Sequence, residues 1–256
     1  MRLGAERICM PAPTVEQFVE AVKATVLANR RWVPPPNNGF LHIRPLLMGS
    51  GSVLSVTPAT EFVFLIYVTP VGNYFEGGIK PIDLVVENDI HRATPGGVGG
   101  IKAIGNYASI TKAQARAKAN GFSDVIYLDA VHKRYLEEVS TGNIFVVKDK
   151  TIITPELSGT VLPGITRKSI IEIAPTEGFQ VEERPVAIEE LFEADEVFCT
   201  GNAICLLHVG SITYKGKRVS YRESGLGNIS RHLFSILRNI QMGLVEDKMG
   251  WTCILI

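Results

Sequence analysis

One lysine stands at the end of a glycine-rich approach. The stretch from Pro95 to Asn120 reads PGGVGGIKAIGNYASITKAQARAKAN, with Gly96, Gly97, Gly99 and Gly100 closely followed by Lys102. Glycine lets a main chain adopt positive φ and come close to a ligand, and a lysine amine presented there could act as a nucleophile or a base. Two phosphate-loop readings fail on spacing. A nucleotide P-loop needs glycine immediately before the lysine and a hydroxyl after it, but Ile101 and Ala103 occupy those positions. A dinucleotide fingerprint needs G-x-G-x-x-G, but Gly97-Val98-Gly99 runs on to Lys102. By residue type alone, Lys102 reads as a solvated loop lysine. Taken singly, Glu138 in EEVSTGNIF reads as a surface acid near a strand end, with Glu137 facing the other way by period two. Tyr107 reads as a core tyrosine. The segment LPGITRKS is a loop entering a helix, so the N–H groups of Ile165 and Thr166 face outward with the helix dipole behind them, a setting that suits an anion.

Together these segments resemble the branched-chain amino-acid aminotransferases of the plant type, pyridoxal-phosphate enzymes of fold type IV. The resemblance rests on GGVGGIKAIGNYA and continues in the family's order through YLDAVHKRYLEEVSTGNIFVVKD, LSGTVLPGITRKSIIEIA, VEERPVAIEELFEADEVFCTGNA, VGSITYKGKRV and QMGLVEDKMGWT. It also takes in NRRWVPP, HIRPLLMGSG and FLIYVTPVGNYF, nearly the whole chain. The resemblance implies an α/β chain in two domains, with a small and incomplete N-terminal α+β domain over 1–70, a linker over 71–81 and a large cofactor-binding domain over 82–256. It implies pyridoxal 5'-phosphate as cofactor and Lys102 as the catalytic lysine that bonds it, with an amine tuned by burial. Glu138 matches the acid beside the pyridine nitrogen, Tyr107 the donor to the phenolic oxygen, and Ile165, Thr166 and Asn202 the phosphate contacts. Arg44, Asn202 and Ala203 match positions that hold the substrate. The implied reaction is transamination of leucine, isoleucine, valine or a related apolar amino acid with 2-oxoglutarate, in a homodimer.

Three departures fall on the implied site. The family's phosphate-binding arginine, in an R-M-x-x-[GS]-A context, would lie one residue before Met1. The usual G-T-A is Gly201-Asn202-Ala203 here, and the tyrosine two residues before Arg44 is His42. They leave open an alternative, a truncated and catalytically impaired paralogue that keeps the fold.

Composition is ordinary for a globular protein that buries a large core. The 256 residues are 46% hydrophobic and 20% charged, and 26 basic side chains balance 26 acidic ones, so no global field favours nucleic acid or an anionic membrane. The longest apolar run, around Phe62–Val68, is too short to span a bilayer, and no signal peptide precedes the first motif. The expected compartment is cytoplasm or plastid. The four cysteines, Cys9, Cys199, Cys205 and Cys253, lack metal-ligand spacing and read as free thiols that pack as small hydrophobes.

The elements that must position these residues follow from periodicity. Thr14 is an N-cap for a helix with the stripe Phe18, Val19, Val22, Val26 and Leu27. Strands are expected at Leu41–Leu47, Gly51–Val56, Glu61–Val68 and Ile82–Asn88. After Lys102, Ile104, Ala108, Thr111, Ala115 and Ala119 recur at helical steps and predict one small-faced buried helix. Strands follow at Val125–Asp129, Asn143–Val147, Thr151–Thr154 and Val181–Arg184, then Glu196–Thr200, Ile204–Val209 and Ile212–Tyr214. Thr166 is expected to cap a helix to Ala174. A short helix spans Ile188–Ala194 and a long one Gly227–Met242.

Overall fold

A computed structural model of the chain describes residues 1–35, 38–72, 80–221 and 227–255. They divide into two compact units, Met1–Gly77 with Lys248–Ile256, and Gly78–Asp247. Much of the linker expected at 71–81, and part of the proline loop before residue 38, lie outside the described residues.

The first unit holds helices α1 (Arg2–Arg7) and α2 (Val15–Ala28) and a hairpin of strands β1 (Gly39–Ser50) and β2 (Glu61–Gly72). Thr14 caps α2 as expected: its hydroxyl accepts from Gln17 N, and the Gln17 side chain accepts from Thr14 N, a reciprocal capping box. Phe18 of α2 stacks on Phe64 of β2 with ring centroids 5.9 Å apart. The strand expected at Gly51–Val56 does not form. Ser50 already pairs with Glu61, so residues 51–60 are the hairpin connection, with Gly51 at φ +95° and Leu54 and Val56 fully exposed.

The second unit carries β3 (Ile82–Val86), α3 (Gly105–Ala108), α4 (Thr111–Ala119), β4 (Asp124–Leu128), β5 (Leu136–Val139), β6 (Asn143–Lys148), β7 (Thr151–Thr154), α5 (Ile165–Ile173), β8 (Gln180–Glu183), β9 (Glu196–Gly201), β10 (Cys205–Tyr214), β11 (Lys217–Ser220) and α6 (Asn228–Gln241). The sheet runs β11-β10-β3-β4-β5-β6-β7-β8, and β9 pairs with both β10 and β6. The pairing β10-β3-β4-β5-β6-β9-β10 therefore closes on itself. The two strands expected at Ile204–Val209 and Ile212–Tyr214 are one strand, β10, whose register shifts between Val209 and Ser211 as it passes from one neighbour to the next.

Period-two alternation sorts side chains between layers. Ile126 and Leu128 of β4, Ile144 and Val146 of β6 and Val197 and Cys199 of β9 share one core cluster with Leu84, Val86 and Val209. Their sequence neighbours Phe145, Val147 and Phe198 belong to a second cluster with Ile170 and Ile173 of α5 and Leu233 and Leu237 of α6. Val125 and Tyr127 meet Ile110, Ala113 and Ala117 beneath α4. That last cluster corrects the helix expected after Lys102. The helix breaks between Ala108 and Thr111, so the face that is buried carries Ile110, Ala113 and Ala117, while Ile104, Ala108, Thr111, Ala115 and Ala119 are exposed.

Two further expectations need correction. Gly164, not Thr166, is the N-cap of α5, because the helix starts two residues earlier than the threonine pattern suggested. Cys199 and Cys205 are buried thiols, but Cys9 and Cys253 are exposed.

Candidate functional site

The site in the second unit is built around a strand irregularity. Ile126 and Leu128 of β4 pair with Val139 and Leu136 of β5, so β5 carries one extra residue opposite β4. Such a bulge interrupts the alternation of faces and re-aims the side chains within it. Leu136 and Val139 both enter the core cluster, and Glu137 and Glu138 between them are both buried, at 5% and 2% exposure. The surface acid and the strict alternation expected from sequence are therefore not what the fold makes of this pair.

A buried carboxyl needs compensation. Glu138 Oε2 lies 3.2 Å from Arg92 Nη2, and its Oε1 accepts from Leu162 N. Burial pushes the Glu138 carboxyl up to about 7; the Arg92 guanidinium and the Leu162 N–H oppose that rise, Glu137 adds to it, and the positive charge of Lys102 opposes it. Arg92 is itself buried, and its Nη1 donates to Thr160 O at 3.0 Å. The acid, the arginine and the 157–162 segment thus form one polar latch.

The same strand pair holds the entry to α5. Glu138 pairs across with Asn143 of β6. Asn143 Nδ2 donates to Leu162 O at 2.9 Å, while Leu162 N donates to Glu138, so both polar groups of Leu162 are taken up by the β5–β6 pair. Gly164 then passes so close that a Cβ there would sit 2.1 Å from Asn143 Oδ1, which only glycine permits. No side chain caps α5, which leaves its first-turn N–H groups without an intrahelical acceptor. Ile165 is exposed and Thr166 buried; the Thr166 hydroxyl donates to Asn202 Oδ1 at 3.1 Å. That bond joins the α5 entry to the exposed turn holding Asn202 and Ala203 between β9 and β10.

Lys102 is exposed, where the resemblance implied a buried amine. Its Nζ stands 4.9 Å from the ring centroid of the half-buried Tyr107, a cation–π distance. The loop that carries it is fixed from two sides. Asn106 Nδ2 donates to Val98 O at 2.8 Å and to Ile101 O at 2.9 Å. Gly99 packs so tightly that a Cβ there would meet Thr160 O at 2.6 Å. The glycine here serves close packing on the 157–162 segment. Sequence reasoning missed Arg92 and Asn106. Arg92 sits in a polar loop without periodicity, and Asn106 next to the recognised tyrosine carries no motif of its own. Arg44 lies in the first unit, exposed on β1, with its Nη2 3.4 Å from His42 Nε2. The structure thus groups Lys102, Tyr107 and Glu138 within one unit and ties Thr166 to Asn202.

Chemically, this donor set fits a ligand with three handles. An amine can capture a carbonyl, a buried acid can sit against a ring nitrogen, and uncapped helix N–H groups can bind a phosphate.

Comparison with known proteins places this geometry in context. Residues 1–212 match the family described as Amino-transferase class IV. The chain is 66% identical over 252 residues to "Branched-chain-amino-acid aminotransferase 3, chloroplastic" of Arabidopsis thaliana, covering 98% of this chain and 61% of that protein. The branched-chain amino acid aminotransferase of Escherichia coli superposes with TM-score 0.83 at 29% identity, covering 98% of this chain and 80% of that one. The T.th. branched-chain amino acid aminotransferase, solved with pyridoxamine 5'-phosphate, gives TM-score 0.85 at 26% identity, covering 99% and 80%. The chain spans about three fifths of the length of three such curated plant relatives.

Proposed function

The chain belongs to the class IV aminotransferases, and from that premise we propose that it transfers the amino group of leucine, isoleucine or valine to 2-oxoglutarate, using pyridoxal 5'-phosphate. The observation that carries this reading is the pairing, in one unit, of a lysine amine with a buried acid whose strand also anchors an uncapped helix entry. The 66% identity to a chloroplastic branched-chain enzyme supports the substrate class.

When bound, the cofactor supplies an electron sink for the electrons released at the amino acid's α-carbon. The chain's own residues divide the remaining work. Lys102 Nζ holds the cofactor covalently and, once released, moves a proton on and off the substrate's α-carbon. Glu138, held by Arg92, sets a negative charge against the ring nitrogen and keeps its proton in place. The Tyr107 hydroxyl donates to the ring's phenolic oxygen. The N–H groups of Ile165 and Thr166, with the Asn202 side chain, hold the phosphate. The Asn202–Ala203 turn meets the substrate carboxylate, and the family resemblance assigns Arg44 to substrate binding. We further propose a plastid location, following the relatives' names, and a homodimer, as the family resemblance implies. No helix among the described residues is long and apolar enough to cross a membrane.

The test is glutamate production by the purified full chain, supplied with pyridoxal 5'-phosphate, 2-oxoglutarate and each branched-chain amino acid in turn. Sustained, enzyme-dependent glutamate formation is expected from at least one of the three. Formation from none of them, with cofactor demonstrably bound, overturns the reading.

A further inference from the structure

Glu137 has no part in the proposed chemistry, yet it is 95% buried beside the acid that does. The β5 bulge puts the two neighbours in the interior together. Their surroundings differ. Glu138 is ion-paired with the Arg92 guanidinium and accepts a main-chain N–H. Glu137 Oε2 has no hydrogen-bond partner among the described residues. Arg92 is ion-paired to Glu138 at 3.2 Å, its Nη1 is bonded to Thr160 O, and the Thr160 side chain supports Glu137. The charged groups facing the pair are Arg92, Lys102 on the side of Glu138 and Asp129 on the side of Glu137. Two neighbouring carboxyls are therefore buried together while the guanidinium is paired to Glu138, an arrangement that cannot hold both charges at full compensation.

We propose that Glu137 is a positioning residue acting through Glu138: the β5 bulge buries the two carboxyls side by side, and the negative charge of Glu137 raises the pH at which Glu138 gives up its proton. Burial raises both carboxyls, and each also feels the other or the nearby acids, so they titrate as a coupled pair. A neutral isostere at 137 removes the Glu137 charge. Glu138, still paired to Arg92 but no longer beside a second negative charge, then ionises at lower pH.

The inference bears on turnover only through the role proposed for Glu138, but its test needs no cofactor. The full chain is labelled with 13C at glutamate side-chain carboxyls, and the Glu138 signal is assigned by its loss in Glu138→Gln. Its pH midpoint is then followed in wild type, Glu137→Gln and Glu137→Asp. In Glu137→Gln the midpoint should fall by at least about half a pH unit, and in Glu137→Asp it should stay near wild type. An unmoved or raised midpoint in a folded Glu137→Gln protein overturns the proposal, as does an equal fall in Glu137→Asp. If Glu137→Gln does not fold, the pH dependence of the Glu138 signal in wild type decides. A two-step curve supports coupling, and a single-site curve contradicts it. Failure here leaves the glutamate-production test of the proposed function untouched, and the converse also holds.

Discussion

Glu138 shows how a residue's role is set by surroundings that its sequence position does not reveal. The folded chain raises its carboxyl from the ordinary 4.5 to about 7, chiefly by burial. The native state therefore binds this proton more tightly than the unfolded chain does. The stabilisation from that proton is full below pH 4.5 and is lost as pH rises through about 7, a change on the order of 3 kcal/mol. Urea unfolding of the cofactor-free chain should show this loss of stability, and Glu138→Gln should flatten the slope over that window. An unchanged slope would mean that Glu138 is not the titrating group. Much of the proposed site was readable as residues: Lys102, Tyr107, Glu138 and the 165–166 entry lie in recognisable segments. The burial of both acids was not, because one extra residue in β5 overrides the alternation that a strand sequence implies. Nor was Arg92, since a lone arginine between strands carries no period and its partners are 46 and 68 positions away in sequence.

Among the elements, the α5 entry is the most sensitive to backbone changes. Gly164→Ala would drive a methyl into Asn143 Oδ1 and release Leu162 from the β5–β6 pair. A loss of about 1–3 kcal/mol is expected in chemical denaturation, with weakened binding of phosphate-bearing cofactor. Asn106→Ala removes both bonds that clamp the Lys102 loop, and should lower turnover far more than it lowers stability. Thr14→Ala is the contrasting case. It breaks the capping box of α2 and should cost about 1 kcal/mol while leaving cofactor affinity unchanged. Elements with strong periodicity or clear caps, such as α2, α6 and β6, stand close to where the sequence put them. The errors have local causes. Residues 51–60 have strand composition but no strand to pair with, and β10 joins two expected strands because it changes neighbours midway.

For the whole molecule, the closed pairing of six strands fixes the second unit. It buries one core among the strands and a second beneath α5 and α6, so the latch on β5 and the entry to α5 are held by the same framework. The family resemblance implied an α/β cofactor domain, but the closure was not legible, because it depends on pairings between distant segments. The proposed homodimer predicts a sedimentation mass near twice the 28.0 kDa of the chain. The central claim is that one amine, Lys102, holds the cofactor, and chemical trapping tests it most directly. The full chain is loaded with pyridoxal 5'-phosphate, reduced with borohydride and digested, and the phosphopyridoxyl group is located by mass spectrometry. Stoichiometric modification of Lys102, abolished in Lys102→Arg, is the predicted result. Label spread over surface lysines, or unaffected by Lys102→Arg, would contradict the account.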